Sequence, residues 1–178
     1  MPKPNRRKFK KREKPEFEQY ILDLARVTRV TRGGKQLSFR ACVVLGDMKS
    51  RVGFGVAKGK DVQIAVDKAV RQGKKNMITI PIINETIPHP ISFKFKAATV
   101  FLKPAPKGSG IIAGGPVRTL LELAGVPNVS AKIMGKTKNK ISIVKAVYEA
   151  MQSFKLGDRE IDKVAKKVVD PKHPKGKK

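Results

Sequence analysis

Tryptophan is absent from the 178 residues, and aromatic residues of all kinds make up only 6%. Hydrophobic residues still reach 40%, so a packed core is expected, built mainly from Val, Ile, Leu and Ala. Cys42 is the one cysteine, which excludes an intrachain disulfide and a cysteine-based metal site. It lies in the run Ala41-Cys42-Val43-Val44-Leu45, where its expected role is packing. No apolar run approaches the roughly 20 residues of a membrane span, so no membrane helix is expected. The basic start is not followed by an apolar segment, and no secretory signal is expected. That start is rich in Lys and lacks Ser, which also argues against a transit peptide. The two histidines, His89 and His173, sit among prolines without acidic or cysteine neighbours. They make no metal site and no pairing of base with nucleophile.

Acidic residues are also scarce. Lys and Arg total 40 against 14 Asp and Glu, a formal charge of +26. A small soluble protein so charged repels itself unless a polyanion neutralises it. The excess is not confined to one block. Residues 1–15 carry 8 basic and 1 acidic residue, 16–80 carry 13 and 6, 81–155 carry 11 and 3, and 156–178 carry 8 and 4. The folded body is therefore basic as well as its ends. Residues 1–15 and 158–178 read as basic tails, disordered alone and ordered only against phosphate.

Between the tails the pattern divides in two. Phe17, Tyr20 and Ile21 have the i, i+3, i+4 spacing of a short helix. Leu24 to Thr31 alternates roughly, and Gly33-Gly34 marks a turn. Phe39, Ala41, Val43 and Leu45 fall on one face of a strand, and Val52, Phe54 and Val56 on one face of another. Period two here predicts antiparallel strands with one buried side. A helix follows, with Asp61 as N-cap and Val62, Ala65, Val66, Ala69 and Val70 as its stripe. Helix, three strands, helix is the order of a double-stranded-RNA-binding domain, assigned to residues 16–80. Three prolines in 81–90 read as the connection to a second α+β unit, residues 81–157. In it, 91–96, 98–103 and 129–134 read as strands. Val117 to Ala124, closed by Gly125, and Ile141 to Met151 read as helices.

Gly108-Ser109-Gly110-Ile111-Ile112-Ala113 matches a dinucleotide fingerprint. An acidic ribose partner about twenty positions on is missing, and no parallel βαβ pattern is seen. These glycines, with Gly114 and Gly115, are better read as allowing close approach of another backbone. No P-loop, catalytic residue, cofactor or metal is expected. Arg26, Arg29, Arg32, Gly33, Gly34 and Lys35 outline a hairpin able to set its backbone against phosphate. Arg51, Lys58 and Lys60 extend the basic surface, the last two at the positive start of a helix. The basic loops carry no Tyr or Trp, so shape and backbone recognition are expected rather than base stacking.

Three stretches, 51–60 (Arg-Val-Gly-Phe-Gly-Val-Ala-Lys-Gly-Lys), 110–118 (Gly-Ile-Ile-Ala-Gly-Gly-Pro-Val-Arg) and 121–129 (Leu-Glu-Leu-Ala-Gly-Val-Pro-Asn-Val), carry a family likeness. With Arg32-Gly33-Gly34 and Asn76-Met77-Ile78 the chain resembles the family of bacterial small-subunit ribosomal protein number five over roughly residues 16–155. The resemblance implies two domains and no enzymatic activity. It implies a cytoplasmic place in the small ribosomal subunit, binding to small-subunit rRNA, and a hairpin that reaches the subunit's head. It further implies a second domain on the body touching protein four at Gly108, Gly114, Gly115 and Arg118, with protein eight nearby. Messenger RNA would pass close by, and decoding accuracy would depend on the contact. No homo-oligomer is expected. A free RNA chaperone or regulator built on the first domain is the alternative. A DNA-compacting protein is a third reading, with no dimerising element to support it.

The affinity of such a chain for rRNA should fall linearly with salt on logarithmic axes, with a slope of about 0.7 to 0.9 per phosphate neutralised. Removing residues 2–12 should make the slope shallower in a filter-binding titration. An unchanged slope would show that this tail touches no phosphate.

Overall fold

A computed structural model describes residues 16–154. The expectations for the basic tails, 1–15 and 158–178, lie outside the described residues. The first sheet has the order β1-β2-β3-β4, with β1 Glu18–Thr31, β2 Gly34–Gly46, β3 Arg51–Gly59 and β4 Met77–Thr79, all pairs antiparallel. Helix α1, Val62–Lys75, lies on it. The second sheet has the order β5-β6-β8-β7, with β5 Ile91–Phe95, β6 Ala98–Pro104, β7 Ile111–Ile112 and β8 Val129–Ile133. Helices α2, Gly115–Ala124, and α3, Lys140–Gln152, cover its inner face.

The helix expected at Phe17, Tyr20 and Ile21 is not formed. Residues from Glu18 onward belong to β1 and pair along β2 from Glu18↔Gly46 to Thr31↔Gly34. The ladder satisfies far more backbone groups than one helical turn could. Nor is there an apolar helix face to bury, since Tyr20 and Ile21 stay exposed. Among the described residues the first unit therefore reads β-β-β-α-β.

Helix α1 begins as expected, with the Asp61 carboxylate accepting from Val62 N at 2.7 Å. Its buried residues are Ala65, Ala69 and Gly73, each four apart and so on one line along the helix. Beneath them runs the odd-numbered face of β3. A β-carbon on Gly55 would meet the Ala69 carbonyl oxygen at 2.0 Å, and one on Gly59 would meet Ala65 N at 2.6 Å. Small residues on both sides let helix and strand backbones touch. The even-numbered residues Val52, Phe54 and Val56 thus turn away from α1.

They turn toward the second unit. Cys42, Val44 and Val52 share one core with Val100, Leu102, Leu120, Leu121, Val144 and Met151. Ala41, Val43 and Leu45 pack under α1 instead. The expected single buried side is thus corrected: β2 is buried on both faces, because two layers rather than one cover it. Cys42 is wholly buried, and burial first, then the Asp23 charge, pushes its thiol up to about 11. The connection through 81–90 is no mere spacer, since Ile80 and Ile87 lie in that shared core.

Where the units meet, backbone bonds to backbone. Met48 N donates to Leu123 O and Ser50 N to Ala124 O, each at 3.0 Å, closing carbonyls at the end of α2 that the helix leaves open. The turn that carries these donors is strained, with Met48 at φ +56° and Ser50 at φ +112°. Asp47 holds it by accepting from Lys49 N at 2.8 Å, Arg51 N at 2.9 Å and Arg51 Nε at 2.6 Å. Burial pushes the Asp47 carboxyl up, yet the Arg51 side chain and the two backbone donors outweigh it, so the carboxyl titrates below its ordinary value. Gly46 and Gly125 flank the junction. A β-carbon on the first would meet Leu123 O at 2.0 Å, and on the second Met48 O at 2.2 Å.

Gly55→Ala should destabilise the chain by at least about 2 kcal/mol in urea unfolding, because backbone rather than a flexible side chain must move. Gly33→Ala, with nothing within 4 Å of the added carbon, should stay within about 0.5 kcal/mol of the native chain. Equal effects would remove the close approach of α1 as a constraint.

Candidate nucleic-acid interface

Strand β3 backs β2 only from Phe39, which pairs with Gly59, to Gly46. From Val27↔Ser38 to Thr31↔Gly34 the β1–β2 hairpin has no third strand. It overhangs the sheet by about 17 Å at roughly 3.4 Å per residue. Alternation assigns its side chains to two faces. Arg29 shares a face with Arg40, and Lys58 stands opposite Arg40 across β2–β3. Arg26 and Lys35 point to the other face, beside the exposed Leu24, Val30 and Leu37. Arg26, Arg29, Arg32 and Lys35 are all exposed. The hairpin thus presents cations on both faces and at its tip.

Only one tip glycine uses its freedom. Gly34 has φ +127°, and its carbonyl accepts from Thr31 Oγ1 at 3.0 Å. Gly33 has no positive φ and no close neighbour, so an added side chain is strained at Gly34 alone. With no positive φ at Arg32 or Gly33, the two-residue connection is not a primed turn.

Lys58 and Lys60 lie exposed at the root of the hairpin, where β3 runs into α1. Arg51 lies at the far end of the sheet. Its Nε meets Asp47 and its guanidinium stands 5.4 Å from the Phe17 ring centre. The fold does not bring it into the hairpin group.

The glycine-rich loop of the second unit is held from beneath by Asn128, the one buried polar residue among those described. Asn128 Oδ1 accepts from Gly108 N at 3.0 Å and Gly110 N at 3.2 Å, while its Nδ2 donates to Glu85 O at 3.3 Å. Thr86 Oγ1 donates to Asn128 O at 2.6 Å and accepts from Ala105 N at 3.3 Å. Gly108 and Gly110 have φ +86° and +69°. Sequence patterning assigns Asn128 no role, although it falls within the stretch 121–129. An amide between Pro127 and the start of the alternating strand 129–133 is the signal that points to it.

Gly114 caps α2 with no side-chain bond, and Arg118 lies one turn in. The arginine is not without a partner: its Nε donates to Glu122 Oε1 at 2.8 Å. Such an exposed i, i+4 pair is worth at most about 0.5 kcal/mol, so an outside carboxylate could take the guanidinium over.

The dinucleotide reading is corrected in one respect. Strand β7 pairs parallel with β8 across α2, so a βαβ unit is present. Two residues of strand make too short a pattern to see. Yet β7 sits inside the glycine motif, so Gly108 and Gly110 precede the strand instead of joining it to the helix. They are not placed to seat a pyrophosphate on the α2 N-terminus.

The N-terminal domain model of ribosomal protein S5 matches residues 17–81, and its C-terminal domain model matches 93–167. This chain belongs to the ribosomal protein S5 family. Small ribosomal subunit protein uS5 of Mycoplasma mobile is 46% identical over 161 residues, 88% of this chain and 66% of that relative. The proteins of the same name from a Hydrogenobaculum species and from Persephonella marina are 43% and 44% identical over 151 and 135 residues. Those alignments cover 85% and 76% of this chain, and 77% and 70% of the relatives. Membership makes the chain a structural, non-enzymatic constituent of the ribosome. Members of the family are components of the small subunit, which is cytoplasmic in bacteria.

Gly34→Val should fray the hairpin tip, because a β-branched residue strongly disfavours positive φ. Amide exchange at Thr31 and Lys35 should accelerate, while Val43 and Val44 keep native protection. Gly33→Val should leave all four unchanged. Faster exchange in the core of Gly34→Val would show that the tip is not independent of the sheet.

Proposed function

We propose that the chain binds small-subunit rRNA mainly through Arg26, Arg29, Arg32, Lys35, Lys58 and Lys60. The observation that carries this reading is the overhanging hairpin, whose cations face both ways and reach its tip. A two-stranded ribbon with no third strand buries little, and charges on both faces suit a place between phosphate backbones. The Gly33-Gly34 turn lets the ribbon end close to a phosphate without side-chain bulk.

In this reading, residues 16–80 and 81–157 serve different partners. The hairpin holds the subunit's head, and the second unit sits on the body. Gly108, Gly114, Gly115 and Arg118 face ribosomal protein four. Asn128 supports this by fixing the loop that carries Gly108, and Arg118 by its readily exchanged partner. Protein eight and incoming messenger RNA are neighbours. Because the two units share one core, the chain steadies the head against the body, and the contact with protein four bears on decoding accuracy. Arg51 acts within the Asp47 turn instead of on RNA.

Two measurements test the reading. The chain should stay with small subunits through a high-salt wash, and a variant shortened at residues 28–37 should be released. A freely soluble native chain would overturn it. Arg118→Glu should remain folded, since a carboxylate near a helix N-terminus is tolerated. It should weaken pairing with protein four by about tenfold or more through like-charge opposition, and raise miscoding on a reporter. Unchanged pairing would remove Arg118 from the contact.

A further inference from the structure

The second sheet has one covered face and one open face. Along β6, Ala98, Val100 and Leu102 are wholly buried, so Phe101 and Lys103 must point outward. The register then assembles the open face. Ser92, Phe101 and Lys132 form one row across β5, β6 and β8, and Lys103 stands opposite Ser130. Lys94 lies diagonally from Phe101, which is 36% exposed. Directly paired residues are about 5 Å apart, and diagonal ones remain within reach of long side chains. Lys94, Lys103 and Lys132 make no ion pair among the described residues, and no carboxylate shares the face.

We propose that this open face is a single-stranded RNA site, in which Phe101 stacks an unpaired base and Lys94, Lys103 and Lys132 hold the flanking phosphates. An exposed phenylalanine alone requires no partner. Its setting decides the matter. Ile112 on the edge strand and Met134 just past β8 are also exposed, but Phe101 is the one aromatic ring on the face, and three lysines surround it. A protein partner would have to bring acids for all three lysines around a single ring. A nucleotide strand brings a phosphate with every base, which suits an aromatic ring set among cations on a sheet. The proposal rests on the chain being an RNA binder but not on the hairpin, which reads backbone and shape.

The test uses the full chain, a fluorescent ten-nucleotide oligouridine and a short RNA duplex. Phe101→Leu, which keeps an apolar side chain but removes the ring, should weaken oligouridine binding by about 5- to 150-fold. Phe101→Tyr should restore it. Neither should alter duplex binding, which the paired change Arg29→Ala with Arg32→Ala should weaken. Lys132→Ala should reduce the salt slope for the oligonucleotide by about 0.7. In small subunits carrying 4-thiouridine, ultraviolet light should leave an RNA adduct on residues 97–103. Native oligonucleotide affinity in Phe101→Leu would overturn the proposal and leave the hairpin reading intact. A face shielded in the subunit without any RNA adduct would assign it to a protein. Loss of both RNAs in the hairpin variant alone would give all binding to the hairpin.

Discussion

Everything in this molecule is oriented by the contact between the Asp47 turn and the end of α2. Two backbone hydrogen bonds join Met48 to Leu123 and Ser50 to Ala124. They form only because Gly46 and Gly125 let main chain approach main chain without a β-carbon between them. The turn is itself strained, and the Asp47 carboxylate offsets that strain with three accepted hydrogen bonds. The Asp47 side chain is only 6% exposed, and covering it would be costly if it were left unpaired. Its bonds to Lys49 and Arg51 prevent that, while Met48, Lys49 and Arg51 themselves stay at the surface.

A second close approach acts within the first unit. The smooth face of Gly53, Gly55 and Gly59 draws α1 onto β3. Because glycine fills one face of the strand, its large residues Val52, Phe54 and Val56 are free to serve the other. The same strand therefore carries a helix on one side and half of the interdomain core on the other. Phe54 meets Tyr148 of α3 edge-on at 4.9 Å, and the Tyr148 hydroxyl donates to Asn76 O at 2.9 Å. Asp23 adds a polar tie, taking Arg40 at 3.3 Å from its own sheet and Lys140 at 3.7 Å from α3.

Much of this order is legible in the amino-acid pattern. Alternation in 37–45 and 51–57 marks β2 and β3, Asp61 marks the start of α1, and Gly125 marks the end of α2. The expectations that fail do so for physical reasons. Three apolar residues near Tyr20 fit a helix and a strand equally, and only the distant partner β2 decides between them. Strands β4 and β7 are too short to show a period. A glycine in β3 looks like a weakness in a strand until the helix that lies on it is known. The candidate site is legible as a basic hairpin around Gly33-Gly34. Alternation alone separates Arg26 from Arg29, but setting Lys35 on the face of Arg26 needs the register between the strands. The i, i+4 spacing of Arg118 and Glu122 on a helix is legible, whereas Asp47 reaches Arg51 across a turn that the chain order does not show. Asn128 is obscured because a buried amide declares itself only through the loop it holds.

Strand β2 runs without a bulge from the hairpin tip to the junction with α2, about 43 Å at roughly 3.3 Å per residue. The irregularity in its neighbour lies between Ile21 and Asp23, near the junction end. The long strand is therefore a lever whose fulcrum is the Asp47 turn. A small tilt of the second unit sweeps the far tip through a larger arc, and a load on the tip returns to the fulcrum as torque. The strained turn, with hydrogen bonds on each side, sits where that torque is greatest.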